Sequence, residues 1–325
     1  MRPSGLTELA ALSARLGRDP EQVQAAGGNT SLKADGLLWV KASGLWLADA
    51  LDRELFVPVA LAPVLDAVAT NASDPATGAV VAELNPGGLR PSIETTLHAL
   101  LPHRIVVHTH SVRTIALAIR VDGEARLAER LAGLAWAWIP YCKPGLPLTV
   151  AVAERLRDRP ADVLVLGNHG LVVGAESVAK GDALLREVER RLDRLRERLP
   201  APPAPPPIAG WRTPAHALVH TLAVDSARAA RACSGSLYPD HVIFLGPAAT
   251  PSPAPGPAKL HIEPGVGARL AEGTGPSADE LALCLALVLE RVPAEARLNY
   301  LTAAEEAELL NWDAEQYRQA ISRNG

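Results

Sequence analysis

Residues 200–207 read PAPPAPPP, and neither a helix interior nor a central strand can run through them. Each proline lacks a backbone donor and holds φ near −65°, so the run is expected to be a semi-rigid extended spacer. The chain is thereby divided into a main domain over 1–199, a linker over 200–210 and a smaller region over 211–325. A second run at 246–257 (GPAATPSPAPGP) reads as another extended stretch inside the smaller region.

Within the first part the hydrophobic period alternates between the two regular types. Residues 6–16 and 60–70 carry apolar side chains at helical spacing, and 92–101 does the same with Ser92 at an N-cap position after Pro91. Residues 37–41 (LLWVK) and 55–59 read as strands, and 104–110 (RIVVHTH) and 162–166 (DVLVL), short, apolar and rich in β-branched residues, read as buried strands. A long helix is expected from residue 177 to 199. Its Arg-rich end (REVERRLDRLRER, 186–198) alternates charge sign at helical spacing, so it reads as a solvated face. The smaller region repeats the mixture, with helices expected near 213–232, 277–291 and 302–322 and strands at 241–245 (HVIFL) and 258–263. The fold class is therefore α/β, with helices covering a sheet.

Composition excludes several functions. With 48% hydrophobic and 21% charged residues and a net charge of −4, the chain can build a core. It offers no basic arm to track phosphates, and no nucleic-acid partner is expected. No apolar run is long enough to span a bilayer and no signal peptide is evident, so no membrane partner is expected and a cytoplasmic location is. Cys142, Cys233 and Cys284 are far apart and odd in number, which fits no disulfide framework and no metal knuckle.

The chemistry begins at His108-Thr109-His110. On a strand, positions i and i+2 face the same way, so two imidazoles lie side by side; the alternative is a chance pair at a strand end. His169 follows an apolar strand within Leu166-Gly167-Asn168-His169-Gly170, where glycines let the backbone turn sharply toward a ligand. Three histidines with an open fourth position is the pattern of catalytic zinc. Glu94 sits early in the helix over 92–101, where a carboxylate meets the helix dipole or serves as general base. His98, on the same face, has a packing role by default. The turns Gly27-Gly28-Asn29-Thr30-Ser31 and Lys41-Ala42-Ser43-Gly44 offer N–H, amide and hydroxyl donors suited to an anion such as phosphate. His241 and His261 read as ordinary strand histidines.

Taken in order, GGNTS, KASG, PSIETTLHALLP, VVHTHS and LGNHGLVVG resemble the class II aldolase/adducin family over roughly residues 7–198. The resemblance implies a class II aldolase-like three-layer α/β/α domain with a smaller C-terminal α/β extension. It also implies one Zn2+ per chain on His108, His110 and His169, and Glu94 as the acid/base. Asn29, Ser43, Gly44 and Ser92, with Gly28 beside them, would line a phosphate site. A homotetramer is expected by the same analogy. YPDHVIFLG and LNYLTAAEEAELLNWDAEQYRQ look like the tail of a bacterial subgroup, some of whose members carry a dehydrogenase domain after the aldolase part. No G-x-G-x-x-G follows a strand here.

The implied activity is reversible aldol cleavage of a sugar phosphate of the ketose 1-phosphate type, through a metal-stabilised enediolate. Decarboxylation of a 3-oxo sugar-acid phosphate on the same site is the first alternative, and a non-catalytic adducin-like binding protein is an alternative of another class. Adducin-like members generally lose the histidines that stand here. Epimerisation fits less well, because the epimerase has Asp-Thr where this chain has Glu94-Thr95. Two departures bear on substrate. Ser92-Ile93 replaces the family's Ser-Ser pair, removing one hydroxyl from the phosphate site. No tyrosine stands between His110 and Tyr141, so the proton donor is open among Tyr141, Glu124, Glu129 and a C-terminal tyrosine.

Overall fold

A computed structural model describes all residues except 1, 71, 73, 74, 194–198, 314, 318–320 and 322–325. Seven strands form the main sheet: β1 (Asn29–Ala34), β2 (Leu37–Lys41), β3 (Phe56–Ala60), β4 (Ile105–Thr109), β5 (Trp136–Ile139), β6 (Val163–Leu166) and β7 (Gly170–Ala175). Their order is β3-β2-β1-β4-β7-β6-β5. Every pairing is antiparallel except β5 with β6, which are joined through the helix Leu146–Leu156 because parallel neighbours need a crossover.

The period of two along β4 decides what lies on each face. Val107 packs with Val173, Leu9, Leu16, Leu185 and Val188, under the helices Leu6–Gly17 and Val178–Leu192. Val106 packs with Val172, Leu97, Leu148 and Val152, under the helices Thr95–Leu100 and Leu146–Leu156. Helices thus cover both faces, as the α/β/α expectation requires. His108 shares the parity of Val106, so its ring is on the side of the helix Thr95–Leu100.

The smaller region holds a second sheet, β8 (Trp211–Arg212), β9 (Leu260–Glu263) and β10 (Gly267–Ala271), in the order β8-β10-β9. It does not stand apart from the main domain. Val112, Ile115 and Ile119, on and just beyond the helix Val112–Ala118, join one apolar cluster with Val242, Ile243, Leu281 and Leu285. The proline run also packs: Pro205 lies against Gly267, and Arg269 donates to the Pro206 carbonyl. In the second run, Thr250 bridges to His261.

Several sequence expectations need correction. Residues 241–245 are not a strand but most of a helix, Pro239–Leu245. Pro239 stands at its start, a position where a missing N–H is harmless, and all seven residues are buried. A short apolar run buried all round has no period to read. The helix over 92–101 begins only at Thr95, with Glu94 rather than Ser92 at the N-cap. The 213–232 segment splits into a 3-10 turn, Ala217–Ala223, and a helix, Ser226–Cys233, capped by Asp225. The helix expected near 302–322 is seen as Ala303–Leu310, with helical residues again at 313, 315–317 and 321. Residues 314, 318–320 and 322 lie outside the described residues, and so do 194–198, in the last part of the long helix expected to reach 199. Its observed part, Val178–Leu192, bears the anticipated intrahelical pairs, Arg190 and Arg191 with Glu187. The three cysteines are free, and among the described residues no helix is long and apolar enough to cross a membrane.

His98 and His241 are fully buried, and burial pushes their imidazoles down to about 3 and about 4. The native rings stay neutral at pH values where the unfolded chain, near 6.5, takes up protons. Because the folded pKa is depressed, stability is complete above about pH 6.5 and declines as the pH falls toward 4. The decline is up to about 1.4 kcal/mol per pH unit for each ring. Urea midpoints of the chelator-treated protein at pH 7, 6 and 5 should therefore fall steadily; a flat profile would contradict the assignment.

Candidate active site and metal centre

One end of the main sheet gathers the residues that the sequence singled out. Asn29 opens β1 directly opposite His108 on β4, and His110 lies just past the end of that strand. Between β6 and β7 a tight turn carries His169, with Leu166 paired to Gly170 across it. Asn168 takes the left-handed conformation there (φ 51°). Two glycines make the corner possible. A side chain at Gly170 would meet the Thr109 carbonyl oxygen at 2.4 Å, and one at Gly28 (φ +58°) would meet the His108 carbonyl oxygen at 2.9 Å. Both approaches are closer than a Cβ tolerates, so the loops close on β4 only because the side chains are missing.

The three imidazoles are buried, and each offers a ligand nitrogen within 4.8 Å of the others. Their ring centroids are 4.9–5.2 Å apart. The His108 Nδ1–H donates to the Leu171 carbonyl at 3.0 Å, which fixes the tautomer and leaves Nε2 as an acceptor. Burial drives His108 down and His169 down to about 3, so both rings are neutral and keep their lone pairs at neutral pH.

Glu94 completes the corner from the N-terminus of the helix Thr95–Leu100. Its Oε2 lies 3.4 Å from His108 Nε2 and its Oε1 3.7 Å from His169 Nε2. Asn29 Nδ2 donates to Oε2 at 2.8 Å, and Ser92 Oγ accepts from both Asn29 Nδ2 and the Glu94 backbone N–H. Burial alone would raise this carboxyl, but His108 and His169, charged only in acid, and the Asn29 donor outweigh it there and hold it at about 2. His108 Nε2 and Glu94 Oε1 are buried atoms with no hydrogen-bond partner. Acceptors aimed at one another in a dry corner repel unless a cation lies between them. The donor set thus fits a divalent metal such as zinc.

Beside the histidines is a cavity of about 30 Å³ lined by Gly28, Asn29, Ser43, Gly44, Ser92 and Glu94, together with His110 and His169. The anticipated anion-binding residues are thus brought to one place, with His108 beneath them. Sequence reasoning missed three further charged lining residues: Lys41, Asp240 and Glu315. Lys41 is buried and donates to the Ala26 carbonyl at 2.8 Å; its place in KASG was visible, but only the turn was read. Asp240 stands just before the 241–245 segment read as a strand, although Tyr-Pro-Asp is helix-start vocabulary. The anticipated proton donors do not line the cavity: Glu124 and Glu129 are exposed, and Tyr141 lies in the C-terminal apolar cluster. His98, hydrogen-bonded to Ser31 Oγ at 2.7 Å, is a packing residue as expected. His241 and His261 also lie outside the cavity, His241 on a helix and His261 on β9.

Residues 7–193 match the family model described as the class II aldolase and adducin N-terminal domain. The chain belongs to the class II aldolase and adducin family. Among solved structures, the N-terminal class II aldolase domain of a conserved protein from Thermoplasma acidophilum is 26% identical. The match covers 59% of this chain and 93% of that one, with a TM-score of 0.51. An L-fuculose 1-phosphate aldolase is 20% identical over 59% of this chain and 85% of its own, with a TM-score of 0.43. The uncharacterized oxidoreductase YuxG of Bacillus subtilis (strain 168) is 30% identical over 211 residues, 59% of this chain. This family member spans 30% of the length of YuxG.

The corner depends on close approach, and Gly170→Ala tests that dependence. The methyl group should destabilise the protein by about 1–3 kcal/mol and weaken divalent-metal binding. Gly78→Ala, where nothing lies within 4 Å of the added atom, should do neither. Equal melting temperatures and metal affinities for the two variants would contradict the packing argument.

Proposed function

We propose that this protein is a zinc-dependent lyase that cleaves a sugar phosphate of the ketose 1-phosphate type by a reversible aldol reaction. The observation that carries the reading is the juxtaposition of the Glu94 carboxylate with the neutral nitrogens of His108 and His169, both buried and 3.4–3.7 Å away. His108, His110 and His169 would hold the metal, one ion per chain. When bound, it supplies Lewis-acid polarisation of a carbonyl, worth several kcal/mol of charge stabilisation.

The chain's own residues do the rest. Glu94 takes the proton released as the carbon–carbon bond breaks and delivers it to the carbon that becomes the ketone's methylol carbon. Its low pKa keeps it ionised at neutral pH, and Asn29 aims it by donating to Oε2. The anionic end of the substrate would lie against Ser43, Gly44, Ser92 and Asn29, with Lys41 supplying positive charge. At about 30 Å³ the cavity accommodates a water molecule rather than a sugar phosphate. Glu315 lines it, and Ile321 lies on Gly44, so substrate entry requires these two residues to move aside. A homotetramer belongs to the same reading by family resemblance, and a cytoplasmic location by the scattered free cysteines.

Incubating the zinc-loaded protein with ketose 1-phosphates and 3-oxo sugar-acid phosphates tests the reading. Aldehyde release is expected, with Glu94→Gln retaining zinc while turnover falls about 10²–10⁴-fold. Carbon dioxide release would replace the aldolase by a decarboxylase on the same residues. Full turnover in Glu94→Gln would remove Glu94 from the chemistry, and a zinc-loaded wild type that turns over neither substrate class would remove the lyase.

A further inference from the structure

The C-terminal region reaches the three-histidine corner at two points. Asp240, 2% exposed, places Oδ2 3.0 Å from His110 Nδ1. It comes from the first turn of the helix Pro239–Leu245, whose residues are buried throughout. The second point is the turn bearing His169. Asn168 Nδ2 donates to the Leu237 carbonyl at 3.0 Å and to the Asn299 carbonyl at 2.9 Å. The left-handed turn before His169 is therefore held by backbone more than sixty residues away.

We propose that the C-terminal region is a built-in part of the metal centre and that Asp240 is the positioning residue for His110. The inference rests on the metal-binding reading above and assigns a role to a region outside the 7–193 family match. A carboxylate accepting from Nδ1–H fixes the tautomer in which Nε2 carries the lone pair, and it raises the basicity of the ring as a ligand. His110 needs such a partner because it lies past the last residue of β4, where no strand pairing restrains it. His108, inside the strand, obtains the same service from the Leu171 carbonyl. Packing reinforces the arrangement. The helix Val112–Ala118 starts immediately after His110, capped by Ser111, and its Val112 and Ile115 share an apolar cluster with Val242 and Ile243. The helix that carries Asp240 and the helix that begins just after His110 both pack against the helix Pro276–Leu289.

The test uses the full-length protein, stripped of metal and titrated with Zn2+ by calorimetry and with Co2+ by visible absorption. Wild type, Asp240→Asn, Asp240→Leu and His108→Ala are compared. Asp240→Leu, close in size, should bind Zn2+ about 10–100-fold more weakly and change the Co2+ ligand-field bands. Asp240→Asn, which can still accept from Nδ1–H, should recover part of the affinity and the wild-type band shape. A role in packing alone predicts unchanged bands for any variant that folds. Wild-type affinity and spectrum in Asp240→Leu would overturn the inference while leaving the metal site intact. Should that variant not fold, Asp240→Asn decides: wild-type affinity together with unaltered bands would overturn the inference, and weakened binding would support it. Failure of wild type itself to bind either ion would take down the metal-binding reading and this inference with it, and His108→Ala marks that baseline.

Discussion

Everything around the functional corner follows from packing neutral imidazoles and a carboxylate into a space that excludes water. Left alone, their lone pairs repel, and the buried acceptor atoms of His108 and Glu94 have no hydrogen-bond partner to compensate. Such an arrangement costs stability and survives only where the surrounding structure fixes each group. The sheet, the two close glycine approaches and the capping position of Glu94 each remove one degree of freedom from a group that would otherwise turn away. The same dryness keeps the His108 and His169 rings neutral, which is the protonation state a metal requires.

The main sheet supplies the corner but does not hold all of it. Central strands fix His108 through ladder pairing on both sides, β1 and β7. The two remaining histidines stand at a strand end and in a turn, where sheet hydrogen bonding gives out. Their restraint comes from Asp240 and from the Leu237 and Asn299 carbonyls, all of them beyond the proline run. The proline run thus joins two regions that share an apolar cluster, rather than separating two independent bodies.

Much of this was legible in the residues, and the limits have physical causes. The strands over 37–41 and 104–110 declared themselves because a central strand buried on both faces is apolar throughout. His108, His110, His169 and Glu94 were legible because metal and acid/base chemistry draw on few residue types. Asn29, Ser43, Gly44 and Ser92 gained meaning only from their order, since each motif alone is common turn vocabulary. The helix Pro239–Leu245 was misread because burial on all sides erases periodicity, and Asp240 was lost with it. Its meeting with His110 spans 130 positions along the chain, and no local pattern encodes a contact at such a distance. The late start of the helix at Thr95 was equally hidden, because the polar turn before it looks like a cap.

The most direct test of the account is the metal content of the intact protein, read by native mass spectrometry for the wild type and for His169→Ala. The account predicts one zinc per chain in the wild type and none in the variant, with both chains folded. A wild-type protein that retains no divalent metal when zinc is supplied, or a variant that retains it unchanged, would contradict the central claim.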